Sequence, residues 1–199
     1  MNLIIGIDEV GRGPLAGPVT VGVFSAPANF RTKLIKILGG KIKDSKQLSP
    51  TKRESIFAKF LELKKARKIN FAVSHVSNKI IDKKGISYCI NYAIKKLFVS
   101  IKRRAFNTDV AVRLDGLLKA PSGYKNQKTI IGGDSKNIFI ACASIVAKVC
   151  RDRLMCRLAY KHPKYSFEIH KGYGTALHRK LIKKHGISEL HRVSFCSKI

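Results

Sequence analysis

The spacing of apolar residues divides the chain into strand-like and helix-like stretches. Leu3 to Ile7 is a continuous apolar run holding one glycine, the pattern of a strand buried on both faces. Gly11-Arg12-Gly13-Pro14 interrupts it and Val19 to Phe24 resumes, and so short a connection predicts an antiparallel pair. Ser49-Pro50 has the form of an N-cap and first helical residue, opening a helix through about Leu63. Ile69 to His75 is β-like. From Asn78 to Ile101 the residues Ile81, Ile86, Cys89, Ile90, Ala93, Ile94 and Leu97 recur at helical spacing. Val110, Val112 and Leu114 alternate as a strand that ends at Asp115, and Lys128 to Ile131 is another, ahead of Gly132-Gly133-Asp134. Asn137 to Tyr160 is a long helix whose first half is apolar on most sides and therefore central. A glycine-rich turn from His170 to Thr175 precedes a short basic helix ending near His185-Gly186. Antiparallel strands first, then strand–helix alternation, predict a mixed α/β sheet with helices on both faces. A chain of 199 residues suits one domain with a sizeable core.

Charge changes this picture more than composition does. Forty Lys and Arg against twelve Asp and Glu give a net charge of +28. Such a field draws in polyanions, nucleic acid first and an anionic membrane surface second. The many Ile residues indicate that an AT-rich coding bias contributes to the lysine count as well. No segment approaches a membrane span, and the N-terminus starts in a strand rather than a basic leader, so a cytoplasmic protein without a membrane partner is expected. Cys89, Cys142, Cys150, Cys156 and Cys196 are odd in number and form no C-x-x-C, which argues against a disulfide framework or a zinc ribbon and for mostly buried thiols. The histidines make no H-E-x-x-H pair, so a metal held by imidazoles is not expected.

With so few acids, those at the ends of core elements stand out. Asp8 and Glu9 close an apolar strand, where both are partly desolvated and repel each other, a cost that a divalent cation offsets. The plain alternative is a solvated strand end, or an acid paired with Arg12. A regular strand aims neighbouring side chains apart, so both reach one site only if the backbone twists or bulges, as Gly11 and Gly13 permit. Asp115 ends another strand, although Asp-Gly is also ordinary turn chemistry. Asp134 precedes the buried helix, where a macrodipole contact would suffice. Asp152 lies between two arginines, and a structural ion pair accounts for it. Together Asp8, Glu9, Asp115 and Asp134 propose an oxygen-rich Mg²⁺ or Mn²⁺ site of the kind that two-metal phosphoryl chemistry needs.

The segments IGIDEVGRGPLAGPV (5–19), KDSKQLS (43–49), LDG (114–116), GGDSK (132–136), ASIVAKVCRDRLM (143–155), HKGYGT (170–175) and HRVSF (191–195) occur in the order seen in ribonuclease HII, and the chain resembles that family from Ile5 to Phe195. The resemblance implies an RNase H-like fold: a mixed five-stranded sheet flanked by helices, with a core to about residue 160 and a C-terminal helical portion from about 161 to 199 that completes the substrate groove. It implies an endonuclease that hydrolyses the RNA-containing strand of RNA–DNA hybrids. Such an enzyme also cuts 5′ to single ribonucleotides in duplex DNA, leaving 3′-hydroxyl and 5′-phosphate ends. It implies Asp8, Glu9, Asp115 and Asp134 as ligands of Mg²⁺ or Mn²⁺. Gly11, Arg12 and Gly13 match the loop that reads the ribose 2′-hydroxyl, Tyr173 the tyrosine that packs on the sugar at the junction, and Lys46 a phosphate-contacting lysine. Flanking Gly172 and Gly174 would hold Tyr173 exposed on a loop. Val10 departs from the usual alanine, and the basic stretch Lys119 to Lys128 is expected to be a surface loop. Arg12 in place of lysine argues against the sister ribonuclease HIII group, and no clamp-binding peptide is expected after Phe195. A monomer is assumed. The rival readings are a non-catalytic basic nucleic-acid-binding protein and another nuclease of the same fold.

Overall fold

The structure, a computed structural model, describes residues 3–41, 47–102, 110–197 and 199. In chain order its elements are β1 (Leu3–Val10), β2 (Val19–Pro27), α1 (Arg31–Ile37), α2 (Pro50–Lys65), β3 (Asn70–Val76), α3 (Asn78–Lys84), α4 (Ile86–Lys102), β4 (Val110–Asp115), β5 (Gln127–Ile130), α5 (Gly133–Lys136), α6 (Ile138–Lys161), α7 (Phe167–His170), α8 (Ala176–His185) and α9 (Val193–Cys196). The strands form one five-stranded sheet in the order β3-β2-β1-β4-β5. β1 runs antiparallel to β2 and parallel to β4. The mixed sheet flanked by helices is the one the apolar pattern predicts.

The pleat of β1 sorts its residues between two cores. Ile5 and Ile7 join Val112 and Leu114 of β4 and Ile90, Ile94 and Leu97 of α4 on one face. On the other face, Ile4 packs into the cluster built on α2 and the first half of α6. Gly6, two residues on, lets α6 lie against the strand, because a Cβ there would sit 2.1 Å from the Phe139 carbonyl oxygen. The next residue on that face is Asp8. The same close approach explains Gly22 of β2, where a Cβ would meet the Ala143 oxygen at 2.6 Å.

Caps fix the helices that matter for the site. Asn137 caps α6, its side chain accepting from the N–H groups of Phe139 and Ile140. Ser49 caps α2 by accepting from Lys52 N–H at 3.2 Å, with Pro50 following it. Ser49→Ala is expected to lower stability by about 1 kcal/mol. A urea midpoint that falls at unchanged slope would show it, and an unmoved midpoint would deny the cap any weight.

Several expectations need correction. The helical stretch from Asn78 is two helices, because Gly85, at φ 81°, ends α3 before α4 begins. The connection after β4 is exposed along most of its length, as expected of a surface loop, but it is anchored. Leu118 and Ala120 are buried in it, and Tyr124 packs on Phe98 with ring centroids 4.4 Å apart. Only Cys89 and Cys142 of the five free cysteines are buried; the other three are half-buried.

Candidate active site

Three of the four proposed acids converge. One ligand oxygen from each of Asp8, Glu9 and Asp115 lies within 4.8 Å of the others. Asp8 and Asp115 share the α6 face of the sheet, since Ile7 and Leu114, their neighbours, both point into the opposite core. Glu9 belongs to the other face, and of the two devices expected, a twist or a bulge, the bulge is absent, because β1 pairs one-to-one with β2 through Val10. Pairing of β1 with β4 stops at Ile7 opposite Leu114, so Glu9 lies beyond the last residue paired with β4. Asp134, on α5, lines the same cleft, and the neighbouring Gly133 N–H donates to Asp115 Oδ1 at 2.6 Å.

Electrostatically the cluster is costly as it stands. Asp8 is buried, and that burial pushes its carboxyl well above the usual carboxylate range; Glu9 and Asp115 push it further, against a hydrogen bond from Ser144. Glu9 is raised as well, chiefly by burial, although Arg12 Nη1 donates to its Oε1 at 3.0 Å. Its second oxygen, Oε2, is buried with no hydrogen-bond partner among the described residues. Crowded carboxylate oxygens, one of them unsatisfied, are the donor set that a hard divalent cation fits.

The cleft has a volume of about 550 Å³, and Gly11, Arg12, Gly13, Arg53, Ser144, Lys148 and Tyr173 complete its wall. The Tyr173 ring is half-buried rather than exposed, with Lys148 Nζ 5.5 Å and the Arg151 guanidinium 5.6 Å from its centroid. Lys46 lies outside the described residues. Asp152 forms an ion pair as anticipated, but with Lys148 at 2.9 Å and Arg53 at 4.0 Å rather than with its flanking arginines. Lys148 and Ser144 are cleft residues that the sequence reading misses, although both lie inside a matched motif. They stand four apart on α6 and so share its cleft face. Arg53 has no such signal, because it lies outside every matched motif.

The residues 5–198 match the family model described as ribonuclease HII. The chain belongs to the ribonuclease HII family. It is 42% identical over 198 residues to the ribonuclease HII of Caldicellulosiruptor bescii, covering 100% of this chain and 88% of that protein. The ribonuclease HII of Endomicrobium trichonymphae is 42% identical over 192 residues, covering 96% of this chain and 84% of its relative. Among solved structures, ribonuclease H2 from Pyrococcus horikoshii superposes with a TM-score of 0.73 at 25% identity, covering 96% of this chain and 93% of the other. As a family member the protein is a ribonuclease H. No helix among the described residues is long and apolar enough to cross a membrane.

Proposed function

We propose that this ribonuclease hydrolyses the RNA-containing strand of RNA–DNA hybrids and cuts on the 5′ side of single ribonucleotides embedded in duplex DNA. The observation that carries this reading is the placement of three crowded carboxylates beside a glycine loop and an aromatic ring in one basic cleft. Asp8, Glu9 and Asp115, with Asp134 beside them, would hold Mg²⁺ or Mn²⁺. When bound, a pair of such ions supplies Lewis acidity at the phosphoryl oxygens and makes water acidic enough to attack at neutral pH.

The chain's own groups do the rest. Arg12, Arg53 and Lys148 line the cleft and neutralise the phosphates that enter it. The Gly11-Arg12-Gly13 main chain approaches the ribose closely and senses its 2′-hydroxyl, the one group that separates RNA from DNA at that position. Tyr173 packs on the neighbouring sugar, its ring fixed by the two cations around it. The core to about residue 160 carries the acids, and the portion from about 161 supplies Tyr173 and closes the groove over residues 11–18. The substrate is the only partner this requires, and a monomer working in the cytoplasm suffices.

Mapping the cut with end-labelled strands tests the reading. A cut 5′ to a lone ribonucleotide, leaving 3′-hydroxyl and 5′-phosphate ends, is expected. A cut on its 3′ side with a cyclic phosphate end would refute it, since that product requires attack by the ribose itself. Tyr173→Ala is expected to lower kcat/KM about tenfold, as loss of one stacking contact would. The accompanying loss of preference for deoxyribose on the 3′ side of the ribonucleotide separates this role from simple packing. An unchanged preference would remove Tyr173 from the reading.

A further inference from the structure

Two arginines lie fully buried behind the glycine loop, Arg151 on α6 and Arg192 just ahead of α9. Among the described residues neither has a carboxylate within 4.0 Å. All their nitrogens are spent on main-chain carbonyls instead. Arg192 donates from Nη2 to Gly11 O at 2.7 Å, from Nη1 to Arg12 O at 2.8 Å and from Nε to Gly17 O at 2.9 Å. Arg151 donates from Nε to Pro18 O at 2.9 Å, from Nη1 to Lys171 O at 3.0 Å and from Nη2 to Ala16 O at 3.3 Å. The carbonyls of Gly11, Arg12, Ala16, Gly17 and Pro18 are thus turned toward two guanidinium groups.

The donors of the same loop are treated differently. Leu15, Ala16 and Gly17 give their N–H groups to the C-terminal portion, to Gly172 and Leu190 carbonyls. Among the described residues, no acceptor takes the main-chain N–H of Arg12 or Gly13. Gly13 also faces open space, because a Cβ there would meet nothing within 4 Å. Gly11 is fixed by the scaffold itself: its φ is +87° and a Cβ would lie 2.4 Å from Arg151 Nε. So one glycine accommodates the arginines behind the loop, and the other leaves room in front of it.

Buried guanidinium groups are a costly way to hold a loop. Burial lowers the Arg192 pKa to about 10, so it stays cationic at neutral pH. Apolar side chains of similar volume commonly stabilise a fold at least as well as buried charge does. What apolar packing cannot do is fix the direction of successive carbonyls, and a planar, three-donor fork can.

We propose that Arg192, supported by Arg151, is a positioning residue for recognition of the ribose 2′-hydroxyl, holding the loop's carbonyls inward so that the N–H groups of Arg12 and Gly13 remain available to the substrate. This rests on the reading of residues 11–13 as the sensor of that hydroxyl. Arg192 touches no substrate. It acts through the orientation of the loop, and its positive charge adds to the attraction for phosphate.

The test is a set of duplex affinities by fluorescence anisotropy in the Asp115→Asn background, which is expected to bind without cutting. One duplex carries a single ribonucleotide and the other is all DNA. The parent is expected to favour the ribonucleotide duplex about tenfold, the worth of one or two directed hydrogen bonds. Arg192→Lys keeps the charge but cannot span three carbonyls, and its preference should fall to near one. Ile94→Ala, in the α4 core and outside the hydrogen bonds that hold the loop, lowers stability and should keep the preference. An Arg192→Lys protein that still discriminates, or an Ile94→Ala protein that loses discrimination equally, would overturn the proposal. A parent without any preference would instead refute the sensor reading beneath it. Should Arg192→Lys not fold, the parent decides by NMR. The Arg12 and Gly13 amide signals should move with the ribonucleotide duplex and not with the all-DNA duplex, while the Arg192 Nε–H signal stays protected in both. Rapid exchange of that Nε–H in the complex would contradict the positioning role.

Discussion

Asp8→Asn and Asp115→Asn are each expected to lower cleavage of a ribonucleotide-containing duplex by more than about 100-fold, since loss of an outer-shell partner alone commonly costs 10–100-fold at a metal site. Affinity for the duplex should stay near that of the parent, because the cations proposed to hold phosphate, Arg12, Arg53 and Lys148, line the cleft and are untouched. The same substitution at Asp8 should make the metal-free protein more stable at neutral pH. Burial and its acidic neighbours raise the Asp8 pKa in the folded state, so the folded protein holds that proton more tightly than the unfolded chain. The favourable contribution is complete below the ordinary carboxylate pKa and disappears as pH rises through the elevated one. A neutral amide at this position carries no such penalty. Thermal melts without metal should therefore rise for Asp8→Asn, and added Mg²⁺ or Mn²⁺ should raise the parent's melting temperature more than the variant's. A variant that melts lower, or that cleaves at the parent's rate, would deny Asp8 its place at a cation site.

The second large effect lies under the Tyr173 loop. Ser188 N–H donates to His191 Nδ1 at 2.8 Å, so the neutral His191 ring carries its hydrogen on Nε2 and donates to His178 Nε2 at 3.1 Å. His178 then donates from Nδ1 to the Tyr173 carbonyl at 2.9 Å. A proton added to His178 Nε2 would set two N–H groups against each other. Burial accordingly lowers the His178 pKa from 6.5 to about 4. Here the unfolded chain binds the proton first, so stability is full above the ordinary histidine pKa and falls between about pH 6.5 and pH 4. The shift corresponds to about 3 kcal/mol, and His75, His170 and His191, lowered in the same direction, add to it. Urea unfolding at pH 7 and pH 4.5 should differ accordingly, with His178→Asn flattening the difference. Equal stability at the two pH values would mean that these rings are solvated and do not brace the loop.

Much of this is legible in the sequence for reasons that can be named. β1 and α6 are buried on most sides, so their apolar runs are unmistakable, and Asp8, Glu9 and Asp115 stand out as acids at the ends of apolar strands. The convergence of Glu9 with Asp8 is legible only in part. Period-two alternation calls for a twist or a bulge; β1 keeps its register with β2 through Val10, so there is no bulge, and Glu9 lies beyond the last residue paired with β4, a tertiary fact absent from local pattern. Gly85 is visible within the stretch from Asn78, yet the apolar spacing runs on across it, so the helix break needs the backbone itself. Arg192 sits within a matched motif. Nothing in HRVSF states that its guanidinium reaches back to Gly11 and Arg12, because hydrogen bonds to carbonyls leave no mark on the partner's residue type. The histidine chain is hidden likewise: His178 and His191 meet only once α8 and the final turn fold together.

The most direct measurement is cleavage of a labelled DNA duplex carrying one ribonucleotide, beside an all-DNA duplex of the same sequence, with Mg²⁺, with Mn²⁺ and with chelator. A single metal-dependent cut 5′ to the ribonucleotide, absent from the control and absent with chelator, is the predicted result. Cutting of the all-DNA duplex, or cutting that persists in chelator, would contradict the account of an acid-held cation working beside a 2′-hydroxyl sensor.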